Sequence, residues 1–361
     1  MKSGSNEFRT RETKHCAYFW VGLPVWGVLV CLLGCVHRPR IATELPRLGD
    51  EIIVAGRMFH TSTRVVTWLD PSGYDAYRVE RRFSPLELSG WDDSKIAQRE
   101  LTTPNRFGLR KDGLTPFQLE QVRGGGWDLD LLREKVDQFV LHFDASGTSR
   151  QCFKVMHDQR CLSVHFLLDL DGTIYQTLDL KERAWHATSS NSRSIGIEIA
   201  NIGAHPPGRN EVFDGWYRRD AKGLSYIKVP DRIGDPGFLV SNFVPRPSRN
   251  EPVHGEIQGC SLLQYDFTEE QYEALGKLTA ALCKIFPKLK CDFPKDESGK
   301  VLPRQLPPDV LNNFSGILGH YHIQSNKVDP GPAMQWNRII ADVQKHLSSP
   351  FSSKPTKRNG P

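Results

Sequence analysis

The sequence predicts an α/β or α+β domain, on three observations. Apolar runs with strand character, at 139–143, 164–168 and 194–199, are separated by polar turn-forming segments. A helical repeat follows them: Tyr272, Leu275, Leu278, Leu282 and Ile285 recur at a spacing of three or four. The 361 residues are 39% hydrophobic and 25% charged, enough apolar side chain for a substantial core. That balance excludes a disordered or collagen-like chain, and a mean hydropathy of −0.44 excludes a polytopic membrane protein. Formal charge is +5, from 47 Lys+Arg against 42 Asp+Glu. So mild and dispersed an excess does not indicate nucleic acid, and it is compatible with an anionic polymer.

The elements can be justified in order. Residues 17–34 carry no charge and follow Lys2, Arg9, Arg11 and Lys14, which reads as an export signal spanning 1–35. Its end, Leu32-Leu33-Gly34-Cys35, resembles a bacterial lipobox, so Cys35 is the expected lipid site. A cleaved signal or an uncleaved apolar anchor is the alternative. Residues 36–126 read as a linker followed by an extension packed on the main domain, with short β-like runs and nothing that suggests chemistry. Asp128 is placed to cap a helix running to about Asp137. The run at 139–143 is a buried strand. Residues 164–175 form a hairpin in which Asp171-Gly172 supplies the positive φ angles of a tight turn. In the next strand Ile195, Ile197 and Ile199 share one face, and Gly196 and Glu198 the other. Residues 204–262, rich in Pro, Gly, Arg and Asp, read as a long loop insertion. Thr268 and Gln271 form a capping box, with Phe267 and Tyr272 as a hydrophobic staple. Ile317-Leu318 is a further strand, a last helix spans about 332–347, and 348–361 has a disordered composition.

Five cysteines lie beyond the signal: Cys152, Cys161, Cys260, Cys283 and Cys291. In an exported protein the close pairs Cys152/Cys161 and Cys283/Cys291 are candidate disulfides, with free buried thiols as the alternative.

Three residues could do metal chemistry. His142 ends one buried strand, His320 follows another, and Asp329 comes nine positions later. Two imidazoles and a carboxylate make a zinc set with one position left open. Glu198 is a lone carboxylate in a strand otherwise made of Ser, Ile and Gly. Facing a cleft, it would have a raised pKa and could accept a proton from an attacking water. Lys327, two positions before Asp329, is placed to stabilise an oxyanion.

Four blocks in this order are similar to the zinc-dependent N-acetylmuramoyl-L-alanine amidases of the type-2 family, whose fold peptidoglycan-recognition proteins share. They are Val140-Leu141-His142-Phe143-Asp144-Ala145-Ser146; Ser163-Val164-His165-Phe166-Leu167-Leu168 with Asp171-Gly172-Thr173-Ile174-Tyr175-Gln176; Ala184-Trp185-His186-Ala187 with Asn191 and Ser194-Ile195-Gly196-Ile197-Glu198; and Gly319-His320 with Lys327-Val328-Asp329-Pro330-Gly331-Pro332. The resemblance runs from about 139 to 347 and implies a central mixed sheet flanked by helices. It also implies a domain at 127–347, one Zn2+ on His142, His320 and Asp329, Glu198 as the base and Lys327 as the oxyanion partner. Trp185, His186 and Asn201 become candidates for substrate contact, and His165 for a structural role. The implied reaction is cleavage of the amide between N-acetylmuramic acid and L-alanine. Peptidoglycan or muropeptide would be the partner, in the periplasm or cell envelope. A non-catalytic peptidoglycan binder of the same fold is the second reading. His322 stands where many members have Asp, which makes it a competing ligand.

Overall fold

The computed structural model describes residues 46–90 and 106–348. Contacts divide the chain into residues 1–46 and a unit from Arg47 onward, and the elements described here lie in the second. The proposed signal, with Cys16, Cys31 and Cys35, and residues 349–361 fall outside the described residues. No described helix is long and apolar enough to cross a membrane.

A six-stranded mixed sheet organises the unit. Its strands are β1 (Val65–Thr67), β2 (Gln138–Phe143), β3 (Phe166–Leu168), β4 (Ile174–Gln176), β5 (Ser194–Ile199) and β6 (Gly316–Gly319). The spatial order is β6-β2-β5-β3-β4-β1. Neighbours run parallel except β3 and β4, which form the expected antiparallel hairpin. Its connection spans 169–173 rather than two residues. Only Gly172 takes a positive φ there, 78°, while the Asp171 carboxylate accepts from the Thr173 N–H.

The sheet is covered on both faces, so its central strands are almost wholly apolar. On one face Phe139, Leu141, Ile195, Ile197, Ile199 and Ile317 are buried with two helices, Glu269–Ile285 (α1) and Trp336–Ser348 (α2). The capping box at Thr268/Gln271 forms as expected, and the Phe267 and Tyr272 rings meet edge to face at 5.9 Å. Truncating any of these core isoleucines to Ala would cost about 2–5 kcal/mol. On the other face Val140 and Leu318 are buried with Ala187, Leu306, Leu311 and Ile323, and this is the face that carries His142 and Glu198. The helix expected to run to Asp137 is shorter, Leu129–Lys135, and Asp128 precedes it without a side-chain cap bond.

Three features were not legible as such. Part of the amino-terminal extension completes the sheet: β1 pairs in parallel with β4, and Gln176 donates to the Ile53 carbonyl and accepts from its N–H. The insertion at 204–262 is largely irregular but contains two hairpins, Tyr217–Arg219 with Ser225–Ile227 and Val253–Ile257 with Cys260–Gln264. It also has an aromatic cluster of its own around Phe213, Trp216 and Tyr217. The cysteines divide unequally. Cys283–Cys291 is a disulfide, whereas Cys152 and Cys161 are free, correcting the expectation of a second bridge. The helical segments Ser149–Phe153 and Lys154–Gln159 separate that pair. They bury the Cys152 thiol in an apolar cluster, where it contacts the Met156 sulfur at 3.6 Å.

His165 has the structural role expected of it. Its Nδ1 accepts from the Gly196 N–H at 3.1 Å, so the ring is neutral and its Nε2–H faces the Glu182 carbonyl at 3.0 Å. Burial, reinforced by the Arg110 guanidinium, pushes its pKa down to about 3. The stability it contributes is therefore complete above the unfolded value of about 6.5 and lost as pH falls from there towards 3. His165→Asn should be most destabilising near pH 7. Its Tm deficit against the wild type should shrink as melts are repeated down to pH 4; a constant deficit would exclude this account.

Candidate metal centre

Parallel pairing brings the chemical residues together. Leu141 of β2 lies opposite Gly319 of β6, so the next residues, His142 and His320, emerge side by side. In the other direction His142 is directly opposite Glu198 of β5. The chain then turns through His320–His322 and returns, with the Tyr321 N–H donating to the Asp329 carbonyl, which sets Asp329 against both imidazoles. His142 Nδ1 and His320 Nδ1 are 3.0 Å apart, and Asp329 Oδ2 lies 2.7 Å from the first and 2.9 Å from the second. All three residues are buried.

This donor set fits a divalent cation. His320 Nε2 faces the Gln324 side-chain carbonyl at 2.6 Å, so the proton is on Nε2 and Nδ1 presents a lone pair to the carboxylate. His142 Nε2 likewise has a partner, His186 Nδ1 at 3.0 Å, leaving its Nδ1 for the same point. Lone pairs converging on a carboxylate oxygen leave a place for a cation, and outer hydrogen bonds on the far ring nitrogens are what a metal-ligating histidine needs. Electrostatics agree. Burial and the neighbouring His320 push His142 down to about 4, which keeps it neutral. Burial alone would raise Asp329, but the charge of a protonated His320 and hydrogen bonds from the two rings hold it well below the ordinary carboxylate range, a role a bound cation would take over with the rings neutral.

The centre opens into a cleft lined also by Glu198, Lys327, Asp144, Trp185, Arg160 and Met156, among others. Burial, then the Asp329 and Asp144 charges, push Glu198 well above the ordinary carboxylate range, with Lys327 and Arg160 opposing. A carboxylate so placed is a strong proton acceptor once ionised.

The remaining site expectations divide. Trp185 lines the cleft. His186 does too, but both its ring nitrogens are engaged, with His142 and with Ser194 Oγ at 3.2 Å. Asn201 does not reach the cleft. It is buried, donates to the Tyr265 carbonyl and accepts from the Gly203 N–H. His322 is no competing ligand: its Nδ1 accepts from the Gly319 N–H and its Nε2 donates to the Leu302 carbonyl. None of the cleft-lining residues comes from 204–262; those from 152–162 are Cys152, Val155, Met156, Arg160 and Leu162.

Sequence reasoning missed two residues. Asp144 lines the cleft two positions after His142. Its Oδ1 accepts from the Ser146, Gly147 and Asn201 N–H groups, its Oδ2 is buried with no partner among the described residues, and burial raises its pKa to about 7. Arg110, fully buried, donates to the carbonyls of Asn191, Ser192 and Ser194 and so fixes the entry to β5. An Asp beside a strand-end His was a readable signal; an Arg in a charge-rich extension was not.

Two imidazoles and a carboxylate beside a second, high-pKa carboxylate, on the cleft-bearing face of a mixed sheet, are a donor set suited to one metal ion. Residues 132–233 match the family model described as N-acetylmuramoyl-L-alanine amidase. That stretch, under a third of the chain, is similar to the type-2 N-acetylmuramoyl-L-alanine amidases. The matched segment includes His142, His186 and Glu198; His320, Lys327 and Asp329 lie beyond it, and the fold supplies them.

Two relatives are similar in sequence. The 1,6-anhydro-N-acetylmuramyl-L-alanine amidase AmpD of Haemophilus influenzae is 28% identical over 128 residues, 35% of this chain and 55% of that protein. AmpD of Escherichia coli is 29% identical over 133 residues, 36% of this chain and 57% of that protein. The chain thus spans little more than half the length of these relatives. Solved structures with some likeness include a selenomethionine derivative of AmpD, at 18% identity over 66% of this chain and 89% of that one, with a TM-score of 0.30. Another is E. coli AmiD in complex with anhydro-N-acetylmuramic acid-L-Ala-D-gamma-Glu-L-Lys, at 18% identity over 58% and 57%, with a TM-score of 0.31. Scores this low carry no weight here.

Asp329→Ala removes one of the three donors. Metal content measured on the purified protein should fall from about one ion per chain to near zero. Full occupancy in that variant would show that the ion binds elsewhere.

Proposed function

We propose that this chain is a zinc-dependent hydrolase that cleaves the amide joining the lactyl group of N-acetylmuramic acid to L-alanine in peptidoglycan or its muropeptide fragments. One observation carries the reading. In a chain similar to the amidase family over residues 132–233, His142, His320 and Asp329 present their donor atoms within 3.0 Å of one another, and Glu198 opens into the same cleft. Two neutral imidazoles and a carboxylate suit zinc, which when bound supplies Lewis acidity toward the scissile carbonyl.

The side chains supply the rest. Glu198 removes a proton from the attacking water as its oxygen bonds to the carbonyl carbon, then returns that proton to the departing L-alanine nitrogen as the C–N bond breaks. The raised affinity of Glu198 for a proton serves both halves of this transfer. Lys327 Nζ stabilises the negative charge that develops on the carbonyl oxygen, and the shelter of the cleft strengthens that attraction. Trp185 offers an apolar wall beside the reacting bond.

The charge-free run at 17–34 with Cys35 at its end supports export and attachment to the cell envelope through lipid on Cys35, on the side where peptidoglycan lies. In a bacterial host, Cys35→Ser should release the protein from the membrane fraction and abolish lipid labelling; a variant that stays membrane-bound would point to an apolar anchor instead.

The activity test uses purified sacculi and a defined muropeptide, with products identified by mass spectrometry. The zinc-loaded chain should release stem peptides, and a chelator should stop it. Glu198→Gln should lower kcat by roughly 10²–10⁴-fold and Lys327→Ala by roughly 10²–10³-fold, both with zinc retained. Binding of sacculi without release by the zinc-loaded wild type would overturn the hydrolase reading in favour of a recognition protein.

A further inference from the structure

We infer that His186 is a positioning residue that orients the zinc-binding ring of His142, and that Gly196 exists to make room for it. The inference rests on the zinc reading above and goes beyond it, because it assigns His186 to the metal rather than to substrate.

The geometry is directional. A ring that ligates through Nδ1 carries its proton on Nε2. His142 Nε2 therefore donates to His186 Nδ1 across 3.0 Å. With Nδ1 accepting, His186 holds its own proton on Nε2, which faces Ser194 Oγ at 3.2 Å. One tautomer satisfies every contact in the chain Ser194–His186–His142, and it is the tautomer that leaves the His142 Nδ1 lone pair beside Asp329. The two rings stand nearly perpendicular, at 82°, so the contact sets the orientation of the His142 ring as well as its proton.

The backbone is arranged for this contact. Asn191 Oδ1 accepts from the His186 and Ala187 N–H groups at 3.1 and 2.7 Å, which holds the turn that presents the ring. Arg110 fixes the carbonyls of Asn191 and Ser194 from behind. The ring lies flat against β5 at Gly196: a Cβ there would fall 2.5 Å from both its Cε1 and Nδ1, closer than any side chain tolerates. The stretch from Trp185 to Glu198 thus works as one device. Its histidine supports a ligand, its asparagine and serine hold the histidine, its glycine gives it space, and its glutamate faces the reacting bond.

The test measures zinc affinity of the full chain by competition with a chelating dye, together with the visible spectrum of the Co2+-substituted protein. His186→Leu should bind zinc about 10–100-fold more weakly and alter the Co2+ bands, while the metal-free protein keeps its wild-type Tm. His186→Asn places an oxygen where Nδ1 was and should recover most of the affinity. Gly196→Ala, which changes no polar group, should weaken zinc in the same way as His186→Leu. Wild-type zinc affinity in a folded His186→Leu or Gly196→Ala variant would overturn the inference. So would an Asn variant no better than Leu. A wild-type chain that binds no zinc would overturn the zinc reading and this one with it.

Discussion

The site depends on the register of three parallel strands. β6, β2 and β5 each end at the same edge of the sheet, and their pairing places His320, His142 and Glu198 in adjacent columns. Side chains alternate across a strand, so a slip of one residue would turn His142 and Glu198 toward the two long helices and bury isoleucines in the cleft. Register is held by the apolar residues on the opposite face, Leu141, Ile195, Ile197 and Ile199, which are buried in one core with residues of α1 and α2. The packing that stabilises the domain is therefore also what aligns its chemical groups.

Gathering titratable groups in a buried space costs free energy unless each is neutral, paired or coordinated. The protein meets this group by group. His142, His186 and His165 are pushed toward neutrality by burial, and each has partners on its ring nitrogens. Asp329 stays ionised against two imidazoles. Glu198 and Asp144 are left with raised proton affinity, the former opposed by Lys327 and Arg160, which also line the cleft. The carboxylate with the raised proton affinity beside the metal donors is the one suited to carry a proton between water and a leaving nitrogen.

The amino-terminal extension and the insertion act by support. The extension before residue 127 adds β1 to the sheet and sends Arg110 into the interior behind β5. The insertion packs Trp216 over the loop that follows β2, within 2.3 Å of where a Cβ on Gly147 would sit, and so braces the backbone that leads away from His142. Neither segment contributes a side chain to the described cleft.

Much of this was legible in the sequence because it is local. The capping box at Thr268, the helical spacing after it, the alternation that put Glu198 opposite the isoleucines, and the His and Asp types suited to zinc are all short-range patterns, and the structure carries each of them. What only the tertiary structure decided was which partner each side chain takes. It showed that Cys152 and Cys161 remain apart while Cys283 and Cys291 join, that Asn201 and His322 are spent on backbone groups, and that His186 turns to a neighbouring ring. It also showed that an aromatic cluster orders a Pro- and Gly-rich insertion. Spacing along a chain specifies which face a side chain takes. Its partner is set by what else packs there, and at the metal centre that depends on contacts between residues 44 to 187 positions apart.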